Sequence, residues 1–238
     1  MYAESHGPAG NTIWTKQVEH SLTWLVSFLH ESDAKLERRF DLDTYQGRGQ
    51  EVVICLDASP WGLGGFLVEN QRIQSWFSCG ISEEEQAILR ISIAESAAQQ
   101  VVEALVVLVA LRAWKCRWVH QRVILRVKSD NISALVMCMK LKTDGYGTCI
   151  IAREMALDIA STEYTPSIAE HIPGVDNIIA DALSRRLQPG ANVQLPTCLA
   201  SIEEMVLPTR GKEYYRTLLN KPPAVRKRQG GVVKAVST

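Results

Sequence analysis

"EVVICLDASPWGLGGFLVENQRIQSWF", residues 51–77, decides the fold. Its first seven residues are a near-continuous β-branched and apolar run, the pattern of a strand buried on both faces. SPWGLGG, 59–65, then turns the chain, and GFLV and RIQSWF flank ENQ as a hairpin. An acid, Asp57, ends the first strand. Further along, QQVVEALVVLVALRAW, 99–114, reads as a helix apolar all round, the kind that lies in a core. RVILRVK, 122–128, is another strand, and SDN starts a helix that runs through Met139. DGYG, 144–147, breaks the chain before a helix over 149–161. SIAEHI, 167–172, is a short strand, and PGVDN leads into a last helix over 178–187. The order β-β-β-α-β-α-α-β-α, a hairpin series followed by crossovers, predicts an α/β domain with a mixed sheet and helices on its faces.

Composition sets bounds on this domain. The chain has 238 residues, 46% hydrophobic and 22% charged, which suits a packed globular core. No apolar run reaches the ~18 residues of a membrane span. MYAESHGPAGNT at the start has neither a basic opening nor an apolar centre, so no secretory signal is read there and an intracellular protein is expected. The cysteines Cys55, Cys79, Cys116, Cys138, Cys149 and Cys198 include no C-x-x-C pair, and the histidines are scattered, which argues for reduced structural thiols and against a zinc site. Lys and Arg balance Asp and Glu at 26 each, less basic than a typical nucleic-acid binder, so any contact with a polyanion is local. Two basic tracts stand out, Arg112 to Lys128 and the end of the chain from Pro208, the latter expected to be a solvated tail.

Three segments follow. In 1–49, TIWTKQVEHSLTWLVSFLH places Trp14, Val18, Leu22, Leu25 and Leu29 at helical spacing, and DTYQGRGQ reads as a linker. Residues 50–188 hold the α/β domain, and 189–238 are basic and largely irregular, with a weak helix around 211–219.

Glu103 is the single polar residue between Val101 and Leu111. It can cap the helix dipole or reach the surface. If buried without a partner, it costs several kcal/mol. Other acids are placed to meet it. Asp57 ends the first strand and Asp130 follows the fourth directly, and a right-handed crossover through the 99–114 helix lays these strands parallel and adjacent, with both acids at one sheet end. Asp181 lies in the last helix, with Asn177 and Arg185 four residues to either side on one polar stripe. Taken singly, Asp57 also fits a turn, Asp130 an N-cap, and Asp181 an exposed helix acid. Together, four converging carboxylates repel one another unless cations sit between them. Mg²⁺ prefers such oxygens, and two ions can clamp a phosphodiester undergoing displacement.

LDASPWGLGGFLV, EALVVLVALRAW, VKSDNISAL and HIPGVDNIIADALSRR, in that order, resemble the ribonuclease H domain of retrotransposon reverse transcriptases, of the long-terminal-repeat and tyrosine-recombinase element types. The resemblance covers about residues 50–187, and HIPG-x-x-N-x-x-A-D-A-L-S-R is its most specific motif. It implies an RNase H-like fold: a five-stranded mixed sheet, three strands antiparallel and two parallel, with helices on both faces. It implies that Asp57, Glu103, Asp130 and Asp181 are the catalytic, metal-holding acids, with Asn131, Asn177 and Arg185 at the substrate. The implied cofactors are two Mg²⁺ ions, with Mn²⁺ as a substitute. The implied reaction is hydrolysis of the RNA strand of an RNA–DNA hybrid, water attacking phosphorus in line to leave 5′-phosphate and 3′-hydroxyl ends. RNA is distinguished by its 2′-OH. The polymerase portion of a polyprotein is the implied partner, since no Tyr-x-Asp-Asp tetrapeptide occurs here.

The chain also departs from that family. The loop after Pro173 is short, GVDNIIAD, and His171 precedes the proline, so a structural role is expected for it. No basic handle follows the Asp130 helix. Two other readings remain: a catalytically silent RNase H-like module serving as a structural or nucleic-acid-binding domain, and a DNA nuclease or integrase of the same fold, whose acids are spaced differently and which lacks ADALSR. Trp61 and Trp76 are expected to be packing residues.

Overall fold

The computed structural model describes residues 15–30, 46, 49–93, 95–118, 123–161, 166–190 and 192–219. Strands β1 (Gln50–Ser59), β2 (Gly62–Glu69) and β3 (Arg72–Cys79) form the antiparallel series, and β4 (Val123–Ser129) and β5 (Pro166–His171) complete one sheet in the order β3-β2-β1-β4-β5. β1 pairs parallel with β4, and β4 parallel with β5. This is the five-stranded mixed α/β sheet that the sequence predicts. It is compatible with an RNase H-like fold.

β2 starts three residues before the predicted GFLV strand, at Gly62. The glycines do not turn the chain; they lie in the ladder, with Gly64 opposite Asp57. A Cβ on Gly64 would come within 2.4 Å of the Ser184 nitrogen and 2.6 Å of Leu183 Cβ, so this bare stretch of strand is the seat of helix α6 (Ile178–Ser184).

The helix α3 (Ser96–Ala113) is the crossover between β3 and β4. It packs on β1 and β2, with α4 (Ile132–Lys140) and α5 (Tyr146–Ser161) against it. Covered on all sides, every residue from Val101 to Leu111 is buried, Glu103 included, which explains the apolar run. Val52, Ile54 and Leu56 of β1 join this main core. The opposite face of the sheet carries a smaller core, where Cys55, Phe66 and Trp76 meet Ala180 and Leu183 of α6 and Leu199. The helices therefore lie on both faces. Trp76 is a packing residue, its indole donating to the Ile202 carbonyl at 2.9 Å. Burial raises the Cys55 thiol to about 11, as befits an inert core cysteine.

Several boundaries differ from expectation. A helix α2 (Glu83–Leu89) follows β3. Its signal was present in the sequence: Ser82 accepts a hydrogen bond from the Glu85 N–H, and three glutamates fill the first turn. α5 begins at Tyr146, inside the predicted break. Gly147 lets its first turn pass close to Leu89 and Val101, since a Cβ there would meet the Leu89 carbonyl at 2.8 Å. α6 ends at Ser184, three residues early, with the Arg185 N–H closing on Asp181 and Leu183 carbonyls.

The N-terminal helix α1 (Thr15–His30) packs on α5 and on a short C-terminal helix α7 (Arg216–Leu219). The predicted apolar stripe does not do the packing. Leu22, Leu25 and Leu29 are exposed, whereas Thr23 and Ser27 are buried beside the stacked rings of Trp24 and Phe28. The two hydroxyls are satisfied by carbonyls of their own helix, which lets the aromatic side turn inward. Trp14, and the side chain of Val18, lie outside the described residues.

The chain from 192 to 219 packs on the rest of the protein, and its part from Pro208 is not the solvated tail expected there. It is irregular in backbone, but Glu204 bridges Trp76 at the edge of β3, and Tyr215 is fully buried in the main core. Arg210 grips the buried Glu85 through Nε (2.6 Å) and Nη2 (2.8 Å), and Tyr215 donates its hydroxyl to the same carboxylate at 2.9 Å. Arg216 pairs with Glu154 and Asp158 of α5, as does Arg112. Arg210 and Arg216 thus serve the fold. Residues 220–238 lie outside the described residues.

Candidate metal centre

Asp57 is the eighth residue of β1, well inside the strand and 5% exposed, so it is not a turn aspartate. The last parallel pair of β1 and β4 is Cys55 with Lys128. Two residues beyond that pair stand Asp57 and Asp130, at the same end of adjacent strands, as the crossover requires. Asp130 does not cap α4. Asn131 does, its Oδ1 accepting from the Ala134 N–H at 2.9 Å. The Asp130 carboxylate is therefore left for another use.

Glu103 is the eighth residue of α3, because the helix starts at Ser96, and the first turn carries no acid. A dipole cap is ruled out by this position, and surface reach by its 4% exposure. Its Oε1 accepts from the side-chain amide of Gln99 at 2.8 Å. Its Oε2 is buried and, among the described residues, has no partner in hydrogen-bond geometry, although Asn131 stands close enough to favour the charged form.

Asp57, Glu103 and Asp130 each bring an oxygen into a group whose members lie within 4.8 Å of one another. Burial foremost, then the Asp57 charge, pushes the Glu103 carboxyl up to about 8. Burial foremost raises Asp57 to about 6, opposed by the hydroxyl of Ser184 and reinforced by Asp130 and Asp181. Without a cation, the site resists carrying its full charge. Three clustered carboxylates, one of them with an orphaned buried oxygen, are the donor set of a hard cation, and these residues fit a metal ion.

The fourth predicted acid is placed differently. Asp181 lies on α6 near enough to act on Asp57, but outside the three-acid group, and its carboxylate is held by Arg185 at 2.5 Å. Arg185 itself is half exposed. Asn177 does not share its environment. It is buried at the start of α6, and its amide donates to the Leu56 carbonyl at 2.9 Å, tying α6 to β1 beside Asp57. Asn131 caps α4 and stands near Glu103. His171 is exposed at the end of β5, opposite Ser129.

Two residues at the site were missed in the sequence. Gln99 sits one turn before Glu103, and Ser184 one turn after Asp181, and the helical spacing of polar partners would have found both. The Ser184 hydroxyl lies 2.5 Å from Asp57 Oδ2 and 3.0 Å from the Asp181 carbonyl. Comparison with protein-family models and with curated proteins found no match for this chain. Among the described residues, no helix is long and apolar enough to cross a membrane.

Proposed function

We propose that this chain is the ribonuclease H portion of a retrotransposon reverse transcriptase polyprotein, hydrolysing the RNA strand of RNA–DNA hybrids with two Mg²⁺ ions. The observation that carries the proposal is the convergence of Asp57, Glu103 and Asp130, with Glu103 Oε2 buried and unpartnered among the described residues. A structural ion pair would explain buried carboxylates, but no cationic side chain is paired with these three among the described contacts; in the basic tract 112–128, Arg112 is engaged with α5 acids, Arg117 with Glu69, and Arg126 and Lys128 with Glu170.

Divalent cations bound there would neutralise the carboxylates, and would supply the Lewis acidity that a phosphodiester needs for attack by water. Asp57, Glu103 and Asp130 would hold one ion, and Asp57 with Asp181 the other. The chain's own contribution is to fix these acids. α3 is clamped in the core, so Glu103 has little freedom, and the ladder positions Asp57 and Asp130 on adjacent strands. Gln99, also bonded to the Ala58 carbonyl at 3.1 Å, keeps Glu103 turned toward them.

The test is a strand-labelled RNA–DNA hybrid incubated with the protein, with and without Mg²⁺. The expected result is Mg²⁺-dependent cleavage confined to the RNA strand. Folded protein that leaves the hybrid intact would favour the catalytically silent module, and cleavage of duplex DNA would favour the nuclease or integrase alternative.

A further inference from the structure

Between the end of α3 and the C-terminal span 205–214 lies a cavity of about 120 Å³, and none of the acids of the metal centre lines it. Val109 and Ala113 of α3, with Met205 and Leu207 of the span, give it a mostly aliphatic lining, joined by Arg112 and Tyr214. Protein interiors normally close such gaps by packing. Here the surrounding groups are pinned. The Met205 N–H donates to the Trp76 carbonyl at 2.7 Å, and Arg210 donates to Glu85 Oε1 at 2.6 Å and to the Gly80 carbonyl at 2.7 Å. Between these anchors Met205 and Leu207 are half-buried while Val206 and Pro208 are exposed, as in an extended span that turns alternate residues inward. Tyr214 is held by α3, its carbonyl accepting from Arg112 Nη1 and its ring 4.6 Å from the same guanidinium.

The charges around this cavity cancel. Arg112 and Arg210 both line it, but Arg112 pairs with Glu154 and Asp158, and Arg210 with Glu85. Arg216 completes the set on Glu154 and Asp158, three cations against three acids. Burial pushes the Tyr214 hydroxyl up to about 12, so the phenol is neutral at neutral pH. An anion would have to displace carboxylates already bound to the guanidiniums, and a cation would meet the guanidiniums themselves. We infer that the cavity is a binding site for a small, neutral, mainly apolar molecule about the size of a single six-membered ring. An aliphatic cavity of roughly 150 Å³ takes up benzene or xenon, which sets the scale. The site is preformed, so a guest gains contacts that the lining otherwise lacks without having to order the walls. This inference stands apart from the nuclease reading and does not depend on it.

The experiment is a titration of the full chain with benzene, read by nuclear magnetic resonance of ¹³C-labelled methionine methyl groups and by thermal melting. The ring current of bound benzene should move the Met205 signal saturably, while Met155, buried in the main core but not at the cavity, stays in place. The melting temperature should rise by about 3–5 °C at ten times the dissociation constant. Ala113→Leu adds three carbons to the lining and should abolish both responses. If that variant melts early, Val109→Ile adds one methylene to the lining and should weaken binding at least about threefold. Benzoate at the same concentrations should bind at least about tenfold more weakly than benzene. A Met205 signal that does not move overturns the site, as does one that moves no more than Met155, which is general partitioning into the core. Undiminished binding in a folded Ala113→Leu variant also overturns it, and binding of benzoate in preference to benzene would show an anion site in its place.

Discussion

Gln99 donates to Glu103 Oε1 at 2.8 Å and reaches the Ala58 carbonyl at 3.1 Å with the same amide nitrogen. One side chain therefore references the buried glutamate to the strand that carries Asp57. A carboxylate held this way in a core has its strain built into the fold, and the strain is released by protonation or by a cation. Both routes can be measured.

The metal-free protein should lose stability as pH rises. Glu103 has its folded value raised to about 8 from the ordinary 4.5, and Asp57 to about 6 from 3.8. For an acid raised in the folded state, the unfolded chain ionises first. The favourable contribution is complete below the unfolded value and is lost as pH climbs through the folded one. The window runs from about 4 to 6 for Asp57 and from about 4.5 to 8 for Glu103. Each pH unit within a window costs at most roughly 1.4 kcal/mol per group. Urea unfolding in chelator across pH 4 to 9 checks this, and millimolar Mg²⁺ should flatten the decline. A metal-free protein that grows more stable over the same range would contradict the assigned burial.

Asp57→Asn should abolish hybrid cleavage while leaving the protein folded. The amide keeps the shape and still accepts the Ser184 hydroxyl, so the β1 ladder is undisturbed. It removes the charge that adds to burial in raising Glu103, so the metal-free melting temperature should hold or increase. Cleavage assay and thermal melt on one preparation separate the two effects. A variant with near-full activity would show that the centre lies elsewhere.

The elements that position the centre were legible because their signals are strong and local. The β-branched run of β1 and the apolar run of α3 leave little choice of period or depth. Glu103 stood out there by contrast. What was illegible depended on tertiary packing. Leu22, Leu25 and Leu29 carry a clean helical stripe, yet Trp24 and Phe28 take the inward side. The WGLGG segment reads as a turn until helix α6 is seen lying on its bare backbone. Arg210 and Arg216 read as tail charges because their partners, Glu85 and Glu154, are 125 and 62 residues away. Asp181 was grouped with the other acids from its place in the last helix, and its engagement with Arg185 concerns rotamers that spacing alone does not fix.

Arg210→Ala should destabilise the protein by about 3–5 kcal/mol, since it leaves Glu85 buried with only Tyr215 and its own helix cap nearby. The double variant Glu85→Gln with Arg210→Met should recover much of that loss, because both charges go together. Equilibrium unfolding in urea measures each. Hybrid cleavage by the folded fraction should be unchanged in the pair, because none of these residues is at the acid cluster.

Gly64→Ala tests whether the bare strand sets the geometry of the centre. The added methyl would sit 2.4 Å from the Ser184 nitrogen, 2.6 Å from Leu183 Cβ and 2.7 Å from the Ala180 carbonyl, and two of these three neighbours are backbone atoms that cannot swing aside. α6 must lift off β2, at a cost of about 1–3 kcal/mol for overpacking. Lifting α6 carries Ser184 and Asp181 away from Asp57 but leaves Glu103 and Asp130 on their own elements. The expected outcome is a folded protein that still binds its first Mn²⁺ ion and cleaves hybrid far more slowly, because a displacement of about 1 Å at a reacting centre costs on the order of a hundredfold. Mn²⁺ titration and single-turnover cleavage at saturating protein measure the two quantities. Wild-type cleavage in a variant destabilised as expected would show that the position of α6 has no bearing on the chemistry.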